Sequence, residues 1–191
     1  MLPAAAFDDA TRDGQRQAVT DTRVAQPALG LAGLATARVL DRFGVRPDML
    51  AGHSYGELVA LCAAGAYDEA ALLDLSEARG RAMVAAVPDG DPGGMVAVAA
   101  PRERLDEVLV GVEVVGANDN HPDQLVIAGT TPAVDEAVGR LKDAGITAKR
   151  LPVACAFHSP VVVAAADALA EHLDGMEVTE PVLPVYSNLT A

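Results

Sequence analysis

The stretch Gly52-His53-Ser54-Tyr55-Gly56-Glu57 sets a serine between two glycines where Met49, Leu50 and Ala51 give way to Leu58, Val59, Ala60 and Leu61. The first apolar run ends a strand and the second opens a helix, so the hexapeptide reads as a sharp strand-to-helix turn. On such a turn the Ser54 hydroxyl is pushed out into a pocket, the geometry of a nucleophile elbow. Glycine suits positions 52 and 56 because a side chain there would strike the neighbouring strand or helix as the backbone reverses. The helix N-terminus adds backbone N–H groups that can hold a developing oxyanion. A bare Gly-x-Ser-x-Gly arises by chance; its place between two apolar runs gives it weight.

Working outward, the order is α, β, elbow, α, α, which fits half of a layered, parallel α/β domain. Pro27 opens a helix in which Leu31, Leu34, Leu40 and Phe43 recur at near-helical spacing, and Gly44 supplies its left-handed stop. After the elbow helix, Asp68 can cap a third helix that runs to about residue 86. Residues 1–25 are polar and weakly patterned, a surface segment. Residues 88–94 hold two Pro and three Gly, a break between structural units. Beyond it the pattern becomes strand 95–100, helix 101–110, strand 112–117, strand 124–129, helix 132–144 and strand 147–153. That βαββαβ order is ferredoxin-like, an antiparallel four-stranded sheet with two helices on one face. The expected division is a large α/β part, 1–92 with 154–191, and a small inserted part, 93–153. A helix at 161–173 and a strand at 183–186 complete the large part.

The chain has 191 residues, 51% of them hydrophobic, enough for one sizeable core or a domain carrying a small lobe. It has no run of about 18 uninterrupted apolar residues and no basic-then-apolar start, so a cytoplasmic location is expected. Its two cysteines, Cys62 and Cys155, read as buried thiols, too few for a disulfide framework and too far apart for a clustered metal site. A net charge of −13 argues against nucleic acid and anionic membranes, since no positive excess exists to displace phosphate counterions. Six of the fourteen basic residues, Arg102, Arg104, Arg140, Lys142, Lys149 and Arg150, nevertheless fall in one middle segment. They form either a local basic face or a set of solvated helix and strand-edge charges.

A serine nucleophile at neutral pH needs a base, and histidine titrates in the right range. Of the four histidines, His53 adjoins Ser54 and points away from it, His121 lies in the Asn118–Pro122 turn, and His172 sits on a helix surface. His158 follows the apolar run 153–157 and precedes Ser159-Pro160, a junction where a side chain can face a cleft; the alternative is a surface-loop histidine. Arg79, in Glu77-Ala78-Arg79-Gly80-Arg81, suits a substrate with a free carboxylate, because the guanidinium fork binds it in a bidentate pair. The alternative is a solvated helix charge paired with Glu77.

Several ordered motifs resemble the malonyl-CoA:acyl carrier protein transacylase family, which includes the acyltransferase domains of polyketide and fatty acid synthases. Gln26-Pro27-Ala28-Leu29 is similar to the family's Gln-Pro-Ala-Leu helix start, and residues 52–57 to its Gly-His-Ser-x-Gly-Glu elbow. Arg79-Gly80-Arg81-Ala82-Met83 resembles its arginine helix, residues 118–129 its Asn-x-x-x-Gln-x-Val-Ile-x-Gly region, and Tyr186-Ser187-Asn188-Leu189-Thr190 its Tyr-Ser-Asn-x-Thr. The resemblance covers about residues 20–191. It implies a hydrolase-like α/β core with a ferredoxin-like lobe, and it favours the functional readings of Arg79 and His158.

By that resemblance Ser54 is the nucleophile, His158 the general base, Arg79 the clamp for a malonyl carboxylate, and the Tyr55 backbone N–H an oxyanion donor; Gln26 lines the pocket. The implied mechanism is ping-pong: malonyl-CoA acylates Ser54, and the phosphopantetheine thiol of an acyl carrier protein collects the malonyl group. No bound cofactor is implied, and the other expected partners are further domains of a synthase. Cys155-Ala156-Phe157-His158 resembles the His-Ala-Phe-His of malonyl-selective synthase domains rather than the Tyr-Ala-Ser-His of methylmalonyl-selective ones. Phe157 would crowd a 2-methyl branch, a discrimination of about 1–3 kcal/mol. The elbow with Tyr55 and the run 20–25 look most like iterative synthases of the enediyne type.

The family's opening Gly-Gln-Gly-Ser-Gln loop has no counterpart here, and the match stops before the family's C-terminal segment. The expectation is a domain cut at both ends, weakly active or inactive alone, since one oxyanion donor is worth about 2.7–4 kcal/mol. Two other readings stand beside the acyltransferase. A serine hydrolase would need an acid among Asp119, Asp123 and Asp135, all within the inserted lobe; a non-catalytic piece of a larger synthase would need none. Carrier-protein docking on Arg102 and Arg104 is a further expectation.

Overall fold

The structure is a computed structural model and describes residues 3–87 and 90–189. It is an α/β chain that divides into two units, residues 1–81 with 168–191, and residues 82–167.

The first unit begins with a helix, and the first turn of a second, that the polar N-terminal sequence concealed. Helix α1 (Asp9–Thr20) is capped by Asp8, whose carboxylate accepts the Thr11 N–H at 2.8 Å, and buries no residue. With no buried face, it left no apolar stripe to read. Helix α2 (Thr22–Arg42) starts five residues before Pro27, because Asp21 caps it by accepting the Arg23 N–H at 2.9 Å. Pro27 lies inside α2, where its missing N–H costs only one rung near the first turns. Past the end of α2, Gly44 takes φ 80° and its N–H bonds Asp41 O at 2.9 Å.

Strand β1 (Leu50–Ala51), the elbow, helix α3 (Gly56–Ala63) and helix α4 (Glu69–Ala85) follow. Asp68 starts α4 as the sequence implied, its carboxylate accepting the Ala71 N–H at 2.8 Å. Leu34 of α2, Cys62 of α3, and Tyr67, Leu72 and Leu75 at and within α4 form the buried core of this unit. Each fully buried leucine there contributes roughly 1.5–3 kcal/mol. The Tyr67 hydroxyl donates to Leu58 O at 2.7 Å, and burial pushes its phenol well above the usual range.

The second unit follows the order strand β2 (Gly94–Val98), helix α5 (Arg102–Val108), strand β3 (Val114–His121), strand β4 (Gln124–Gly129), helix α6 (Thr131–Asp143) and strand β5 (Ala148–Arg150). The sheet is antiparallel throughout, in the order β3-β4-β2-β5. Alternate residues build two cores. Val96 and Val98 of β2 and Leu125 and Ile127 of β4 pack with Leu105 of α5 and Val134 and Leu141 of α6. Met95, Val126 and Ala128 on the reverse face pack with Cys155, Ala156, Val161 and Val162. Burial on both faces explains why 95–98 and 125–128 read as unbroken apolar runs.

Three boundaries differ from the sequence expectation. Strand β3 runs on to His121, so Asn118 to His121 lie in the strand rather than a turn; irregularities between Gly116 and Asn118 and between Asp119 and His121 absorb these polar residues. Strand β5 ends at Arg150, after which the chain leaves the ladder to cover the reverse face, with Ala156 N–H bonding Pro92 O at 2.8 Å. That covering assigns 154–167 to the second unit rather than the first, and the end of α4 joins it, so the division falls after Arg81 instead of after residue 92. Of the expected break at 88–94, Pro88 and Asp89 lie outside the described residues. Asp91 fastens its remainder to α6, accepting the Gly93 N–H (2.9 Å), the Thr131 N–H (2.9 Å) and the Thr131 hydroxyl (2.6 Å).

Helix α7 (Ala164–Asp174) returns the chain to the first unit, where strand β6 (Val185–Tyr186) pairs with β1 in parallel. This two-stranded pair is the parallel sheet of that unit among the described residues.

Candidate active site

The backbone marks two residues. Among the described residues, Ser54 (φ 54°) and His158 (φ 57°) are the non-glycine positions in the left-handed region. A side chain there costs of order 1–3 kcal/mol, and such strain clusters at functional sites.

At the elbow, Gly52 is sterically required: a Cβ would overlap the backbone carbon and oxygen of Gly56. Gly56 is different, since nothing lies within 4 Å of its hypothetical Cβ, so the steric reading holds for the first glycine and not the second. Helix α3 forms at once, with Gly56 N–H to His53 O at 2.9 Å and Glu57 N–H to Ser54 O at 3.1 Å. Tyr55, just before α3, carries the backbone N–H next to the nucleophile position. Its side chain is 7% exposed and anchors the elbow, its hydroxyl donating to Ser76 Oγ at 2.6 Å while Ser76 donates to Leu72 O at 2.5 Å. Burial raises the Tyr55 phenol above its usual value. Gly30 of α2 leaves room for that hydroxyl, since a Cβ there would lie 2.5 Å from it. Sequence reading assigned Tyr55 only its backbone.

In the same unit α4 presents Arg79 to Gln26 of α2. The guanidinium donates to Gln26 Oε1 at 2.8 Å, and the Gln26 amide donates to Thr22 Oγ1 at 2.6 Å. Gln26 and Thr22 are buried at 4% and 2% exposure, so the glutamine cannot swing away without stranding polar groups. Gly80 permits the close approach, because a Cβ there would sit 2.9 Å from Arg23 Cα. The solvated-charge alternative fails on its partner, since Glu77 is taken by Arg81 at 2.9 Å. Thr22 escaped the sequence reading, which ended its unpatterned segment three residues later.

His158 and Phe157 belong to the second unit. His158 is exposed and stands in a turn. The turn is fixed from behind: Ser159 Oγ donates to Ala156 O at 2.6 Å and accepts from Val161 N–H at 3.3 Å, capping a short 3-10 turn, Pro160–Val162. Phe157 is half-buried against the reverse-face core. Cys62 and Cys155 are both buried, and burial pushes the Cys62 thiol up.

The remaining histidines have structural surroundings. His121 accepts the Asp123 N–H at 3.1 Å. His172, expected on an open helix surface, is half-buried with Nε2 3.1 Å from Asp74 Oδ2, near enough for an ion pair but without hydrogen-bond alignment. The acids that a hydrolase would need are engaged: Asp119 by Arg102 at 2.7 Å, Asp135 by Arg150, and Asp123 beside His121. Arg104 pairs with Glu107 at 2.8 Å and Arg140 with Glu136 at 2.6 Å. Four of the six clustered cations are thus matched by carboxylates, which favours the solvated-charge reading over a basic docking face.

The model of the acyl transferase domain family matches residues 6–191, and the chain belongs to that family. The malonyl CoA-acyl carrier protein transacylase of Escherichia coli K12 is 39% identical over 188 residues, covering 94% of this chain and 60% of that protein. The acyltransferase domain of the iterative polyketide synthase in enediyne biosynthesis superposes with a TM-score of 0.81 at 42% identity, over 89% of this chain and 45% of that one. A malonyl-transacylase solved in complex with a type II polyketide synthase acyl-carrier protein gives a TM-score of 0.82 at 38% identity, over 89% and 57%. The chain therefore spans about 60% of the length of the curated transacylase it matches.

Proposed function

We propose that the chain carries the acylation machinery of a malonyl transferase, moving a malonyl group from malonyl-CoA through an ester on Ser54 to the phosphopantetheine thiol of an acyl carrier protein. The observation that carries this reading is the strained Ser54 elbow in one unit with an arginine whose guanidinium is held by buried Gln26. A hydrolase of neutral esters has no use for such a cation, whereas a substrate ending in a free carboxylate does.

In this reading Ser54 Oγ attacks the thioester carbonyl as His158 removes its proton, and the Tyr55 N–H stabilises the oxyanion. The C–S bond then breaks, His158 returns the proton to the departing CoA thiolate, and the malonyl ester remains on Ser54. The carrier thiol attacks that ester after losing its proton to His158, and Ser54 regains the proton as it leaves. Arg79 grips the malonyl carboxylate, Gln26 fixes Arg79, and Phe157 crowds a branch at the adjacent carbon. The fold that serves this is proposed to be a hydrolase-like α/β core with a ferredoxin-like lobe. Its partners are malonyl-CoA, an acyl carrier protein and neighbouring synthase domains, and its setting is the cytoplasm; no helix among the described residues is long and apolar enough to cross a membrane.

The test is a donor comparison followed by intact mass. Malonyl-CoA acylates the wild-type chain faster than acetyl-CoA does, and Arg79→Ala removes that preference. Equal rates with both donors in the wild type would overturn the carboxylate-clamp reading.

A further inference from the structure

We propose that Asn188 is a positioning residue for the nucleophile, its side-chain amide replacing the backbone rung that the β1–β6 ladder lacks beside Ser54. The inference rests on reading Ser54 as the nucleophile.

The parallel ladder pairs Leu50 with Val185 and Ala51 with Tyr186 and then stops. Carried two rungs further, the same register sets residue 188 opposite residue 53. In a parallel ladder a residue donates its N–H to the carbonyl before its partner and accepts from the N–H after it. Asn188 makes both bonds with its side chain: Nδ2 donates to Gly52 O at 2.8 Å, and Oδ1 accepts the Ser54 N–H at 3.0 Å. The amide therefore grips the elbow on both sides of His53, one bond falling on the strained residue itself. Asn188 is held in turn, its own backbone N–H donating to Glu57 Oε1 at 2.6 Å.

Only an amide of this length fits the pattern. Alanine offers neither group, and aspartate keeps the acceptor but faces the Gly52 carbonyl with a carboxylate. Left-handed Ser54 is the element that benefits, since one of the two side-chain bonds of Asn188 falls on its own N–H. The role also accounts for Glu57 directly after the elbow: its carboxylate fixes the residue that fixes Ser54.

The experiment compares Asn188→Ala, Glu57→Ala and Glu57→Gln in the full chain, by amide hydrogen exchange over residues 52–57 and by acylation kinetics with malonyl-CoA. Asn188→Ala raises exchange in that segment while β2 and β4 stay protected. It also lowers the maximal acylation rate by about tenfold or more with KM within about threefold, the signature of a misplaced nucleophile rather than lost binding. Glu57→Ala gives a weaker form of both effects, and Glu57→Gln, which keeps the acceptor, restores them. Unchanged exchange in Asn188→Ala, or raised exchange with an unchanged rate, overturns the proposal. Should the wild-type chain take no malonyl group, the donor reading alone fails. The rate of Ser54 labelling by a fluorophosphonate then judges Asn188 by the same tenfold criterion.

Discussion

The left-handed backbone of Ser54 and His158 is where single residues decide most. At an ordinary strand or helix position glycine is less stable than alanine, but at φ near 55° the order reverses, because alanine's Cβ meets the following carbonyl oxygen at a cost of about 1–2 kcal/mol. Ser54→Gly is accordingly expected to be more stable than Ser54→Ala by about 1 kcal/mol in denaturant unfolding, although both lose acylation. A second residue prediction concerns Gln26. Its removal takes one hydrogen bond from Arg79 and one from the buried Thr22 hydroxyl, so Gln26→Ala raises KM for malonyl-CoA by about ten- to a hundredfold, the equivalent of one charge-assisted hydrogen bond of about 1.5–3 kcal/mol. Substrate titration of the self-acylation rate checks it. Ser54 stood out by its local motif, whereas Arg79 and His158 were singled out from their alternatives only by the family resemblance. Asn188 lay in a quoted motif, yet its role depends on partners more than 130 residues away in sequence, which no spacing rule reveals.

Between elements, the approach of α4 to α2 sets the Arg79–Gln26 contact. Gly80→Val places a Cβ 2.9 Å from Arg23 Cα, a backbone atom that cannot rotate aside. The helices must part, which is expected to cost about 1–3 kcal/mol by denaturant unfolding and to raise KM together with it. The turn before β2 carries a pH dependence through Asp91. The Thr131 hydroxyl, then the Gly93 and Thr131 N–H groups, hold this carboxyl below its usual value. A folded value below the unfolded one means that its stabilisation is complete above the ordinary carboxylate range and fades as pH falls through the depressed value. The stability gap between wild type and Asp91→Asn should therefore shrink as unfolding is measured at progressively lower pH below 4. Elements were readable where one face is buried, as in α6, or where both are, as in β2 and β4. Helix α1 was not, because it buries nothing, and the length of β3 was not, because its bulges carry Asn and Asp where a turn is the commoner use.

For the whole molecule, the βαββαβ order and the strand–elbow–helix order were both legible from periodicity, while the limits of the two units were not. Residues 154–167 pack on the reverse of the antiparallel sheet, a tertiary choice that an apolar run announces without saying which core it joins. The central claim is that one serine at the elbow takes up a malonyl group, and its most direct test is the mass of the chain after incubation with malonyl-CoA, followed by peptide mapping. The account predicts a single malonyl adduct on the peptide containing Ser54, absent from Ser54→Ala. A folded wild-type chain that gains no mass, or an adduct that persists in Ser54→Ala, would contradict it.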